Sequence, residues 1–253
     1  MRSNRSMYRV VFASLAIGMA AAAGAAEVRV AAAANFTAPL KKIAAAFTAA
    51  TGHTVVASYG ATGMLYAQIA NGAPFDVLLA ADEVVPAKLE KDGLAVPGTR
   101  FTYAIGRLIL WSARPGLVDG QGEVLKKGAF DHLAIANPVT APYGAAAVST
   151  LRSLGLYEVN LPKLIQGENI TQTFQFAQTG NVPLAFVAMS QVFEDGALKT
   201  GSAWVVPADR YSPIRQDAVV LAKGRSKPAV DAFVAFLKGS QARAVIGSYG
   251  YGF

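Results

Sequence analysis

Residues Ala31–Leu40, AAAANFTAPL, read as the end of a buried strand that runs directly into a helix. Val28 and Val30 give the preceding strand its β-branched character, and the run of alanines leaves room for a group to approach the backbone. Thr37 is placed to cap the helix, and Pro39 is tolerated in its first turn, where no amide proton is needed. Phe36, Leu40, Ile43 and Phe47 share one face at helical spacing, and Gly52 closes the helix. A strand feeding a helix N-terminus leaves unpaired N–H groups and the positive end of the helix dipole aimed at one point. Such a point holds an anion without any charged side chain.

Upstream, Met1–Ala26 is expected to be a signal peptide. Arg2, Arg5 and Arg9 form a basic n-region, Val10–Ala23 is apolar, and the small residues around Ala23–Ala26 suit cleavage before Glu27. The apolar run falls short of the ~20 residues that a membrane span needs. The whole chain carries 23 Lys+Arg against 16 Asp+Glu, and loss of the three leader arginines leaves only a mild positive balance. The remaining basic residues (Lys41-Lys42, Lys126-Lys127, Arg225, Lys227) are scattered, which argues against a nucleic-acid surface and for weak attraction of anions. With no cysteine, thiol chemistry and Cys-ligated metals are excluded.

Downstream, strands and helices alternate. Strands are expected at His53–Tyr59, Val77–Leu79, Tyr103–Trp111, Leu133–Ala136, Leu164-Ile165, Pro183–Ala188 and Asp217–Ala222. Helices are expected around Met64–Ala70, after Asp82, from Ala141 through Leu154, and over Thr171–Gln178, Ala229–Leu237 and Gln241–Tyr249. The alternation implies α/β architecture, with parallel or mixed sheets flanked by helices.

The chain has no phosphate-binding glycine loop, dinucleotide fingerprint, zinc-protease motif or nucleophile elbow. His53 and His132 fall at strand starts and read as surface residues. Of the acidic residues near strand ends, Asp82 reads as a helix cap, and Asp76 and Glu168 as solvated side chains. No candidate acid, base or nucleophile stands out, so the reading is of a protein that is not an enzyme.

What recurs is the strand-to-helix junction carrying small neutral donors: Ala34-Asn35, Ala61-Thr62-Gly63, Pro142-Tyr143-Gly144 and Glu168-Asn169-Ile170-Thr171. Any one of them is explained by helix capping or a tight turn. Four, at the carboxyl ends of strands where open α/β sheets bind ligands, point to an oxyanion site.

These residues resemble the periplasmic molybdate-binding proteins (ModA type) of ATP-driven oxyanion importers. The resemblance covers Glu27–Phe253 and is carried by AAAANF, SYGATGMLYAQIANGAPFDVLLAAD, RFTYAIGRLILWS, IANPVTAPYG, PLAFVAMSQ and FLKGSQARAVIGSYGY. It implies a type II periplasmic binding protein: two α/β lobes joined by two crossing strands, with mixed sheets and the ligand in the cleft. Lobe one would be residues 27–102 plus 216–253, and lobe two residues 103–215. The resemblance places Asn35 and Thr62 on the ligand from lobe one, and Tyr143 and the backbone around Ile170 from lobe two. Asn35 and Thr62 would donate from amide and hydroxyl, Tyr143 and Ile170 mainly from backbone N–H. These would contact molybdate as an oxyanion, without direct ligation of the metal. Two departures stand out. Ala34 lacks a hydroxyl that some relatives carry and offers only its N–H, and Ala188 stands where other members place a tyrosine.

The function so implied is a periplasmic monomer that captures molybdate or tungstate, needs no cofactor, and delivers its cargo to the membrane permease of an importer. A site built of donors favours fully deprotonated anions over phosphate, which keeps a proton and needs an acceptor for it. Two rival readings remain: a receptor for sulfate or another small oxyanion, and an exported enzyme acting on a phosphate or sulfate ester.

Overall fold

The computed structural model describes residues 24–253. The expected leader, residues 1–26, lies outside the described residues except for its last three.

Strand β1 (Glu27–Ala33) leads through a single 3-10 turn, Ala34–Phe36, into helix α1 (Thr37–Thr51). Thr37 is therefore not the cap. The small alanines let the chain turn three residues earlier, and the Thr37 hydroxyl donates to the Ala34 carbonyl at 2.8 Å. Gly52 ends the helix in the left-handed conformation, φ 75°. Phe36, Leu40, Ile43 and Phe47 are all buried, and Phe47 meets Phe233 edge-on at 5.4 Å. Each such side chain contributes roughly 1.5–3 kcal/mol by leaving water. Then follow β2 (Thr54–Gly60), α2 (Thr62–Ala70), β3 (Val77–Leu79), α3 (Val84–Lys91) and β4 (Phe101–Gly106).

The chain crosses to a second sheet at Arg107. It continues with β5 (Leu108–Ser112), α4 (Glu123–Lys127), β6 (Leu133–Ala136), α5 (Pro142–Ser153), α6 (Tyr157–Asn160), β7 (Leu164–Gly167) and α7 (Ile170–Gln178). β8 (Leu184–Ala188), α8 (Met189–Val192), β9 (Phe193–Glu194), β10 (Ala197–Leu198) and β11 (Ser202–Val205) complete this lobe. The chain then recrosses into β12 (Ile214–Val220), α9 (Pro228–Lys238) and α10 (Ser240–Ser248).

The first sheet has the order β2-β1-β3-β12-β4 and the second β11-β5-β8-β6-β7. Both are mixed. β1 runs parallel to β2 and β3, and β12 runs antiparallel to β3 and β4. In the second sheet β6 is parallel to β7 and β8, whereas β5 is antiparallel to β8 and β11. The stretch expected as one strand, Tyr103–Trp111, is thus two. Gly106 pairs with Ile214 in one sheet and Leu108 with Ala188 in the other, so the backbone must turn between them. This puts the first crossing at Arg107, and residues 103–106, expected in lobe two, belong to the first sheet. Each sheet has its own apolar core, the first around Phe36, Phe47 and Phe233 and the second around Leu108, Leu151 and Phe186.

Candidate functional site

Four helix N-termini converge where the lobes meet. They belong to the 3-10 turn before α1, to α2, to α5 and to α7. The small cavity between them, about 10 Å³, is lined from lobe one by Ala33–Asn35, Gly60–Thr62 and Ala81, and from lobe two by Ala141–Tyr143 and Ile170. Ala34, Asn35, Thr62, Tyr143 and Ile170 are thereby brought to one place. Every lining residue is neutral, and the space has room for a group of about the size of a water molecule, far less than a drug-sized ligand needs.

Each terminus presents its donors for a local reason. Ala61 is extended at ψ 143° before α2. The Thr62 hydroxyl oxygen accepts the Ala81 N–H at 3.0 Å, which leaves the hydroxyl proton to donate. In lobe two Pro142 heads α5 at a position where it has no N–H to lose, and Tyr143 follows in the first turn. Gly144 lets that turn lie against the end of β6: a Cβ there would stand 2.2 Å from the Ala136 carbonyl oxygen. Asn169 caps α7, its side chain accepting the N–H groups of Thr171 at 2.9 Å and Gln172 at 3.1 Å. The cap leaves the N–H of Ile170 for the cavity.

The Asn35 side chain behaves differently from the sequence expectation. Both its amide protons are used inside the protein, one toward Gln216 Oε1 at 2.9 Å and one toward the Tyr251 hydroxyl at 2.8 Å. Asn35 itself lines the cavity. The Tyr143 hydroxyl is likewise turned to the protein, accepting from Gln216 Nε2 at 3.0 Å. Burial pushes the Tyr103, Tyr143 and Tyr251 hydroxyls above the usual tyrosine value, so all three keep their protons at neutral pH. Ala188 is buried among the apolar side chains of the second core and does not line the cavity.

Sequence reasoning missed Gln216, Tyr103, Tyr251 and Ser190, which stand behind the cavity. The Ser190 hydroxyl donates to the Asn35 carbonyl at 2.8 Å, tying α8 of lobe two to the first turn of lobe one. No local pattern marks these residues, because their partners lie up to 216 positions away.

Asp76 also differs from expectation. It is 2% exposed, pairs with Lys227 Nζ at 2.7 Å and accepts the Arg29 N–H at 2.8 Å. It therefore braces β1 against the start of α9 instead of facing solvent. Asp82 caps as expected, accepting the Val85 N–H at 2.8 Å, and burial raises its carboxyl above the ordinary value. It lines the wider groove outside the cavity with Glu83, Val139 and Arg215. Glu168 and His132 are exposed, and His53 Nδ1 accepts the Ala26 N–H. Among the described residues no group of three His, Cys, Asp or Glu side chains is placed to hold a metal ion. Nor is any helix among them long and apolar enough to cross a membrane.

Two α/β lobes joined by two crossings, with a neutral donor-lined cavity between them, define a two-lobed solute-binding protein of type II. The sequence matches the bacterial extracellular solute-binding protein family over residues 28–252. It is 60% identical over 247 residues to the molybdate-binding protein ModA of Azotobacter vinelandii, covering 98% of each chain. It is 50% identical to the ModA protein of Rhodobacter capsulatus, over 94% of this chain and 93% of that one. The fold matches the solved periplasmic molybdate-binding protein of Azotobacter vinelandii with TM-score 0.87 and 42% identity, over 89% of this chain and 99% of the other. The chain belongs to this solute-binding family, as a member of ModA type.

Proposed function

We propose that the protein captures molybdate, and tungstate with it, between its two lobes and delivers it to the membrane permease of an ATP-driven importer. It would do so as a periplasmic monomer after removal of residues 1–26, with no cofactor and no catalytic turnover. The observation that carries this reading is the 60% identity to a molybdate-binding ModA protein over 98% of both chains. The neutral cavity supports it physically.

The proposed donors are the N–H groups of Ala34, Asn35, Tyr143 and Ile170 and the hydroxyl of Thr62. Hydrogen bonds to a charged partner are about twice as strong as neutral ones, and fixed dipoles in an enclosed site lose little in reorganisation. Two lobes sharing one anion make its binding and their closure a single equilibrium. No carboxylate lines the cavity to accept the proton that phosphate retains, so phosphate is expected to bind poorly.

Thermal melts of the processed protein with molybdate, tungstate, sulfate and phosphate test the reading. A ligand at a hundredfold excess over its dissociation constant adds about 2.7 kcal/mol, which raises the midpoint by roughly 5–10 °C at this size. A rise with molybdate and tungstate alone is the expected result. An equal rise with sulfate would make the protein a general oxyanion receptor, and no rise with any of the four would overturn the proposal.

A further inference from the structure

Gln216 is fully buried at 0% exposure, on β12, one of the two strands that carry the chain between lobes. Its carbonyl oxygen accepts from the Asn35 amide at 2.9 Å and lies 3.0 Å from the Tyr103 hydroxyl, which also reaches the Ala80 carbonyl at 2.9 Å. Its amide nitrogen donates to the Tyr143 hydroxyl at 3.0 Å. One side chain therefore touches a cavity residue of each lobe: Asn35 from the 3-10 turn before α1 in lobe one and Tyr143 from α5 of lobe two.

The backbone is shaped for this contact. Along β12 and β4 the partners run Gln216 with Ala104 and then Asp217 with Thr102, so Tyr103 is an extra, unpaired residue on β4. A bulge of this kind bends the strand and redirects side chains, here next to the site. Gly106 supplies the remaining room. A Cβ at that position would stand 2.2 Å from the Tyr143 hydroxyl and 2.6 Å from Gln216 Nε2.

We propose that Gln216 is the positioning residue that sets the two halves of the anion site against each other. Lobe separation breaks its bond to Tyr143 while its bond to Asn35 stays within lobe one. The full network exists only when α5 and the first turn of lobe one hold the spacing that the anion reads. Gln216 touches no anion itself and acts through Asn35 and Tyr143.

The proposal rests on the molybdate reading, and calorimetric titration of molybdate into the full processed chain tests both separately. Wild-type protein that binds no molybdate sinks the functional reading. If it binds, Gln216→Met, which keeps the length and removes the hydrogen bonds, is expected to weaken affinity about 10–100-fold. Tyr143→Phe, which keeps the ring and N–H, is expected to weaken it about tenfold, ~1.4 kcal/mol. The double variant is expected to lose no more than Gln216→Met alone, since the two side chains act as one unit.

Gln216→Glu separates positioning from packing. Ionised, its carboxylate repels the dianion; protonated, it mimics the amide, accepting from Asn35 and donating to Tyr143. Its affinity is expected to recover tenfold or more between pH 8 and pH 6, while the wild type stays flat. Binding by Gln216→Met within twofold of wild type, additive losses in the double variant, or an equal deficit of Gln216→Glu at both pH values would each overturn the assignment. If Gln216→Met fails to fold, the Gln216→Glu pH profile decides alone.

Discussion

Gly63, in the first turn of α2, donates its backbone N–H across the cleft to the carbonyl of Thr140, just ahead of α5, at 2.9 Å. The two lobes thus touch backbone to backbone beside the cavity. A Cβ on Gly63 would stand 3.1 Å from the Thr140 Cα, so alanine there must push the lobes apart by a few tenths of an ångström. Alanine is also the better helix former by about 1 kcal/mol, so α2 itself is not weakened. Gly63→Ala is expected to lower molybdate affinity about tenfold, ~1.4 kcal/mol, and to enlarge the radius of gyration of the anion-free protein. Calorimetry and small-angle scattering read the two effects; unchanged affinity would mean that this contact does not set closure.

Ile170 allows a backbone donor to be removed cleanly. Asn169 before it is extended at φ −148° and ψ 173°, a conformation that a following proline accepts, and Ile170 is the first residue of α7, where proline is favoured. Ile170→Pro deletes the N–H with little backbone cost; Ile170→Ala keeps it and removes only packing. A hydrogen bond to a charged group contributes about 1.5–3 kcal/mol, so the proline variant should bind molybdate roughly 10–150-fold more weakly. The alanine variant should stay within a few-fold of wild type. Similar losses in both would assign the effect to packing.

In the proposed site Thr62 serves two partners through one hydroxyl, the Ala81 N–H and the anion. Thr62→Val leaves the buried Ala81 N–H without its acceptor and takes a donor from the anion, whereas Thr62→Ser keeps both. The valine variant is expected to lose about 1–3 kcal/mol in anion-free stability and at least tenfold in affinity. The serine variant should retain both properties, as measured by denaturant melts and titration.

Glu194 on β9 of lobe two joins Lys199 of its own lobe at 2.8 Å to Lys42 and the Tyr249 hydroxyl of lobe one, the last at 3.1 Å. Hydrogen bonds from Lys199 and then Lys42 and Tyr249 hold its carboxyl down from 4.5 to about 2. A depressed carboxylate stabilises the fold above its unfolded value and loses that contribution as pH falls through the folded one. The melting temperature of wild type should therefore exceed that of Glu194→Gln above about pH 4.5, with the gap closing toward pH 2. The side chains are partly exposed, so 1 M salt should narrow the gap at neutral pH. A gap independent of pH would assign the effect to something other than charge.

The four strand-to-helix junctions were legible because each is written in consecutive residues. AAAANF, GATG, APYG and ENIT carry the small residues, caps and prolines that turn a strand into a helix within a few positions. The burial of Phe36, Leu40, Ile43 and Phe47 follows from their spacing in the same way. What stayed hidden depends on distant pairing. The division of Tyr103–Trp111 follows from two different partner strands, and the burial of Asp76 from Lys227, 151 positions on. Gln216 carries no local mark either, since its partners come from β4, α5 and the first turn of lobe one. The partners of the Asn35 amide were hidden for the same reason: Gln216 and Tyr251 lie at the far end of the chain.

The order of strands in the first sheet has a consequence for synthesis. β12 stands between β3 and β4, yet it is made after every strand of the second sheet. While the ribosome works through residues 107–206, four of the five strands of this sheet exist but the place between β3 and β4 is empty, so β4 has no neighbour to pair with. The second lobe can close on itself in that interval, because all its strands come from one uninterrupted segment. The N-terminal strands, although made first, become part of a finished lobe only when the last fifth of the chain arrives.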